Sequence, residues 1–150
     1  MKAISISMLR VATGLLLIMW GLIKAMAPAA AIHVSDEFYH GLLSVHALQA
    51  PLGVAEIVLG LVVVAGAGRA VALPLQAVVL GVGLVAIWKY VADPFGMYLV
   101  SGTSKEPLFF PSLTVFAASL VQIAFREYDR FALDRTFMRS HAEVARLGTE

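Results

Sequence analysis

LRVATGLLLIMWGLIKAM, residues 9–26, runs eighteen residues with charge only at Arg10 and Lys24. A helix needs about 20 mostly apolar residues to cross about 30 Å of hydrocarbon. This stretch has that length, and its charges stand where a helix would leave the apolar layer. Three further stretches have the same character. Residues 51–68 contain one charge, Glu56; residues 71–92 are uncharged until Lys89; residues 108–125 carry none. Pro74 and Pro111 are expected in the first turn of their helices, where a missing N–H costs little.

The whole composition agrees. The chain of 150 residues is 60% hydrophobic and 14% charged, with a formal net charge of +1. Its mean hydropathy is +0.86. Soluble chains average roughly 45–50% apolar and about 25% charged. Near-neutrality speaks against a nucleic-acid partner, which would require a basic excess. With no cysteine in the sequence, disulfides, zinc–thiolate sites and iron–sulfur ligation by this chain are excluded. The expected fold is all-α: an integral membrane four-helix bundle over residues 1–125, with spans at about 9–26, 51–68, 71–92 and 108–125.

Four spans put both termini on one side. That side holds Lys2, Arg10, Arg69, Arg126, Arg130, Arg135, Arg139 and Arg146, against Lys24, Lys89 and Lys105 on the other. Eight against three predicts cytoplasmic termini. A cleaved signal peptide ending near Ala25-Met26-Ala27 is the competing reading of the first stretch. Arg10 lies too deep in the apolar run for it.

Within residues 9–26, Arg10, Gly14, Leu17, Gly21 and Lys24 are spaced 4, 3, 4 and 3 apart and share one helix face. Two glycines on that face let another backbone approach closely. The end charges reach either head groups or a polar partner. The second span has a matching stripe of Gly53, Glu56 and Gly60, so Glu56 should point inward with the small residues. An ionisable side chain inside a span costs a few kcal/mol unless paired or solvated. With a helix beginning near Pro51, Glu56 would sit about 7–8 Å below the outer surface. Lys24, Lys89 and Asp93 reach the same level. Two readings stay open: a structural ion-pair network, or a small polar pocket for a head group, a quinone or a proton. Lys24 is the first choice of partner for Glu56, and Lys89 the second.

The outer loop, residues 27–50, contains Ser35-Asp36-Glu37, which reads as a helix start capped by Ser35. A short extracytoplasmic helix through about Ala47 would then carry His40 and His46. His33, His40 and His46 are spaced 7 and 6 apart, which aligns no ligands on one helix face, and no metal site is expected. No histidine lies within a span to ligate haem. Asp93-Pro94-Phe95-Gly96 is a turn signature, and Trp20, Trp88 and Tyr90 fit an interfacial aromatic belt. Residues 126–150 hold five arginines and five acids, a balance that does not make a polybasic lipid patch. Phe131, Met138, Ala142 and Ala145 predict an amphipathic cytoplasmic helix there. It would lie on the membrane, on a partner or on its own bundle.

Arg10, Gly14, Gly21 and Lys24 in the first span, with Pro51, Glu56, Gly60, Gly66 and Arg69 at the second, resemble the DoxX-like membrane proteins. The resemblance covers the first two helices; the last two match in length and hydropathy. It implies a four-helix bundle in a bacterial or archaeal plasma membrane. It also implies a link to redox chemistry: an accessory subunit of a membrane-bound, quinone-linked oxidoreductase, with redox partner subunits. The chain would carry no redox centre of its own, only a quinone or lipid. A non-enzymatic scaffold or assembly factor is the alternative. A small transporter or proton-conducting element using Glu56 comes third, since the chain has no inverted repeat or broken helix.

Overall fold

The computed structural model describes residues 1–39, 41, 44–99 and 107–135. Six helices follow one another: α1 (Lys2–Met26), α2 (Pro28–Phe38), α3 (His46–Ala65), α4 (Arg69–Ala86), α5 (Trp88–Ala92) and α6 (Pro111–Ala124). Short 3-10 turns stand at Pro107–Phe109 and Arg126–Tyr128. No strand occurs among the described residues. The chain is an all-α membrane protein in which α1, α3 and α4 are long and apolar enough to cross a bilayer, while α6 has 14 residues. Its surface is that of a protein in lipid. Val54, Val58 and Leu61 on α3 and Val71, Leu75, Val78, Val82 and Val85 on α4 are exposed. Arg10, Arg69, Gln76, Gln122 and Asp129 are buried. In water such apolar faces would demand a partner; in hydrocarbon they are solvated.

The centre of the fold is the antiparallel contact of α1 with α3. A Cβ on Gly21 would lie 2.5 Å from the Gly53 carbonyl oxygen, and one on Gly53 2.6 Å from that of Gly21. Gly14 and Gly60 repeat the arrangement at 2.9 and 2.7 Å. As one position rises by seven residues the other falls by seven, the register of antiparallel helices touching every two turns. No side chain larger than hydrogen fits these positions without moving backbone. α4 packs on α3 and on α6, and α6 returns to α1. Leu73, Ala72 and Val63 form the buried apolar cluster between them.

Several boundaries differ from the sequence reading. α1 begins at Lys2, so Arg10 stands eight residues into the helix and is buried, which leaves the polar partner of the two alternatives for it. α3 begins at His46 with Pro51 inside it, so Glu56 is ten residues from the helix start, about 15 Å along the axis. α4 begins at Arg69, which moves Pro74 into the second turn, and it ends at Ala86. Lys89 therefore belongs to the separate short helix α5. The expected single helix from Ser35 to about Ala47 is not found among the described residues: α2 starts at Pro28, Ser35 is buried near its end, and His46 opens α3. Proline at the first helical position sets α2 in place of the serine cap.

Over the described residues 126–135, the segment after α6 is not one continuous helix. It makes a 3-10 turn, lays Ala132 fully buried against Gly66, and turns helical again only at residues 133–135. Phe131 is exposed. Met138, Ala142 and Ala145, the rest of the expected apolar stripe, lie outside the described residues.

Candidate functional site

Two buried polar clusters stand at opposite ends of the α1–α3 pair. The first joins Lys24 of α1 to Glu56 of α3, Lys24 Nζ donating to Glu56 Oε1. Their side chains are 17% and 16% exposed, so both charges are largely removed from solvent. The glycine contacts make this possible. Lys24 Cβ packs where Gly53 leaves room, 3.1 Å from where a Cβ on that glycine would stand, and the long lysine side chain reaches along α3 to Glu56, one turn on from Gly53. The other carboxylate oxygen, Oε2, is buried and has no hydrogen-bond partner among the described residues.

Tyr39, immediately after α2, reaches the same place. Its hydroxyl lies 3.9 Å from where a Cβ on Gly83 of α4 would stand. Burial, and then the negative charge of Glu56, push the phenol above its ordinary pKa of 10.0. The hydroxyl therefore remains a donor at neutral pH. Beside it Phe38, Tyr90 and Phe109 pack edge to face or tilted, with centroids 4.8–5.7 Å apart, and tie α2 to α5 and to the turn before α6. Glu56 thus pairs one carboxylate oxygen with Lys24 and keeps the other buried and without a partner among the described residues, near enough to Tyr39 for its charge to act on the phenol.

Of the four ionisable residues expected together, the structure joins Lys24 and Glu56. Lys89 is exposed. Asp93 is buried and closes the following loop, its carboxylate accepting from the backbone N–H groups of Met97, Tyr98 and Leu99 at 2.8, 2.7 and 2.6 Å. Tyr39 had no sequence signal beyond its place next to Phe38. Among the described residues no three His, Asp or Glu side chains converge as a metal site. His33 pairs one turn along α2 with Glu37 at 3.4 Å, and His40 lies outside the described residues.

The second cluster was not foreseen. Arg10 Nε donates to Asp129 Oδ2 at 2.7 Å, and Ser7 Oγ to Asp129 Oδ1 at 2.7 Å. Arg10 Nη1 also donates to the carbonyls of Val63, at 2.8 Å, and Val64. These are among the last carbonyls of α3, which lack partners within the helix. Arg69 bridges Asp129 and Asp134, at 3.7 and 3.3 Å. Asp134 accepts from the N–H groups of Gly68 and Arg69 at 2.7 and 3.0 Å, capping α4 from the far end of the chain. Burial raises the Asp134 pKa, but the hydrogen bonds from Arg69 and Gly68 and the Arg69 charge outweigh it and hold the carboxyl below its ordinary 3.8. Every charge here has a partner, so this end is a structural clasp.

Between the two clusters Gln122 Nε2 donates to Thr13 at 3.0 Å. Gln76 of α4 is fully buried, and neither atom of its amide has a partner among the described residues. Each glutamine continues a stripe of buried residues spaced three or four apart, as Arg69, Leu73 and Gln76 do, and that pattern was available in the sequence. Compared with protein-family models, with curated proteins and with solved structures, the chain matches none.

Proposed function

We propose that the chain is a DoxX-like, four-span protein of a bacterial or archaeal plasma membrane with both termini cytoplasmic. It serves as an accessory subunit of a quinone-linked oxidoreductase, carries no redox centre, and holds a quinone or lipid head group at Glu56. The observation that carries this reading is the buried, unpartnered Oε2 of Glu56, whose charge acts on the Tyr39 phenol. An unpartnered buried acceptor costs about 1–3 kcal/mol, more when charged. A ligand that supplies a donor removes that cost. The fourth span of this reading, about residues 108–125, contains the shorter apolar helix α6.

The test is purification in mild detergent with extraction of bound quinones and identification of co-purifying chains. A stoichiometric quinone lost on Glu56→Gln or Tyr39→Phe, with the fold intact, supports the reading. A preparation with no quinone and no redox partner removes it. The close α1–α3 contact and the fully paired clasp favour the scaffold reading in that event, since both make a rigid body without requiring a ligand.

A further inference from the structure

Between Arg126 and Arg135 the sequence has three arginines and three acids. In the fold they separate. Asp129 turns in to Arg10 and Arg69, and Asp134 to Gly68 and Arg69. Arg126 and Arg130 face out, with Glu127 the one acid of the segment that is exposed. Neutrality of the sequence is therefore not neutrality of the surface. Lys2 adds a further exposed cation, its Nζ held 5.2 Å from the centroid of the Tyr128 ring. Beside it runs a groove between the start of α1 and the chain after α6, lined by Met1, Lys2, Ser5, Ile6, Phe125 and Tyr128. Ile6 and Phe125 make its floor apolar, and Lys2 and Ser5 give its rim a cation and a hydroxyl. Arg126 stands in sequence between the two aromatic lining residues. The groove lies at the end of a membrane-crossing helix, where hydrocarbon gives way to head groups and where aromatic and basic side chains concentrate.

We propose that this groove binds an anionic phospholipid of the adjoining leaflet. Its phosphate sits on Lys2, with the exposed Arg126 and Arg130 adding to the field, and an acyl chain lies along Ile6 and Phe125. Lipid is favoured over a protein partner because the groove joins a cationic rim to an apolar floor that continues into the exposed faces of α1.

The full chain in detergent is titrated with phosphatidylglycerol, with phosphatidylcholine of the same chains, and with inorganic phosphate. Binding is read by native mass spectrometry and by the shift in Tm. Phosphatidylglycerol should bind preferentially and raise Tm most, and salt should weaken it. Lys2→Gln with Arg126→Gln should lower its affinity roughly fivefold per charge removed, leaving Tm in lipid-free detergent unchanged. If that double variant does not fold, Lys2→Gln alone carries one such step. Equal responses to the two lipids, a response to phosphate as large as to phosphatidylglycerol, or an undiminished preference in the variants would each overturn the proposal.

Discussion

Arg10 and Asp129 stand 119 positions apart and meet at 2.7 Å, with 4% and 2% of their side chains exposed. The contact fastens the segment after α6 to the first helix, and through Arg10 to the last carbonyls of α3. Removing one partner of such a pair strands the other charge. Asp129→Ala should lose about 3–5 kcal/mol, read as chemical or thermal unfolding in detergent. Stability within about 0.5 kcal/mol of the parent, the ordinary scatter of surface changes, would show that the segment does not clasp the bundle.

Lys24 and Glu56 make the corresponding pair at the other end. Glu56→Gln and Lys24→Met should each destabilise, and the double substitution should recover part of the loss. A coupling of about 0.5–3 kcal/mol is expected from a contacting pair. Strict additivity in a double-mutant cycle would sink the pairing.

The glycine contacts can be separated from glycine's intrinsic helix cost. Gly21→Ala drives a methyl into the Gly53 carbonyl and should cost about 1–3 kcal/mol. Gly83→Ala meets only the Tyr39 hydroxyl at 3.9 Å. It should be neutral or stabilising by up to about 1 kcal/mol. Equal effects of the two would mean that α1 and α3 do not touch at Gly21.

Asp134 has a depressed pKa in the fold, so its contribution is present above the unfolded value and lost as pH falls through the lower folded one. Stability should decline below pH 3.8, the ordinary value for the group. Asp134→Asn should flatten that part of the Tm–pH curve. An acid limb identical in both proteins would show that another group causes it.

The topology is open to single-cysteine labelling, since the chain has no cysteine of its own. His33→Cys should react with a membrane-impermeant maleimide from outside the cell, and Glu127→Cys only after permeabilisation. Outside labelling of Glu127→Cys would reverse the orientation.

The sequence by itself determined that this chain lives in a bilayer and which face of the first two helices turns inward. Gly14, Gly21, Gly53 and Gly60 recur at helical spacing, and a backbone can approach only where side chains are absent. The same spacing put Glu56 on the inward face and named Lys24 as its first partner. Helix starts were read less well. His46, Ala47 and Gln49 carry no charge to bound an apolar run, and Lys2–Met8 extend α1 past the point where hydropathy begins to rise. The tertiary structure alone decided the clasp, Tyr39's place beside Glu56, and the sorting of the tail's charges. Local patterning reports what lies three or four residues away on one helix. Arg10 with Asp129 and Arg69 with Asp134 are joined across the fold, Tyr39 feels the charge of Glu56 from another element, and which acids are neutralised depends on where the chain returns after α6. The arginines and acids of residues 126–135 cancel in a count. Only the pairing of Asp129 with Arg10 and Arg69, and of Asp134 with Arg69, leaves Arg126 and Arg130 as exposed cations of the segment.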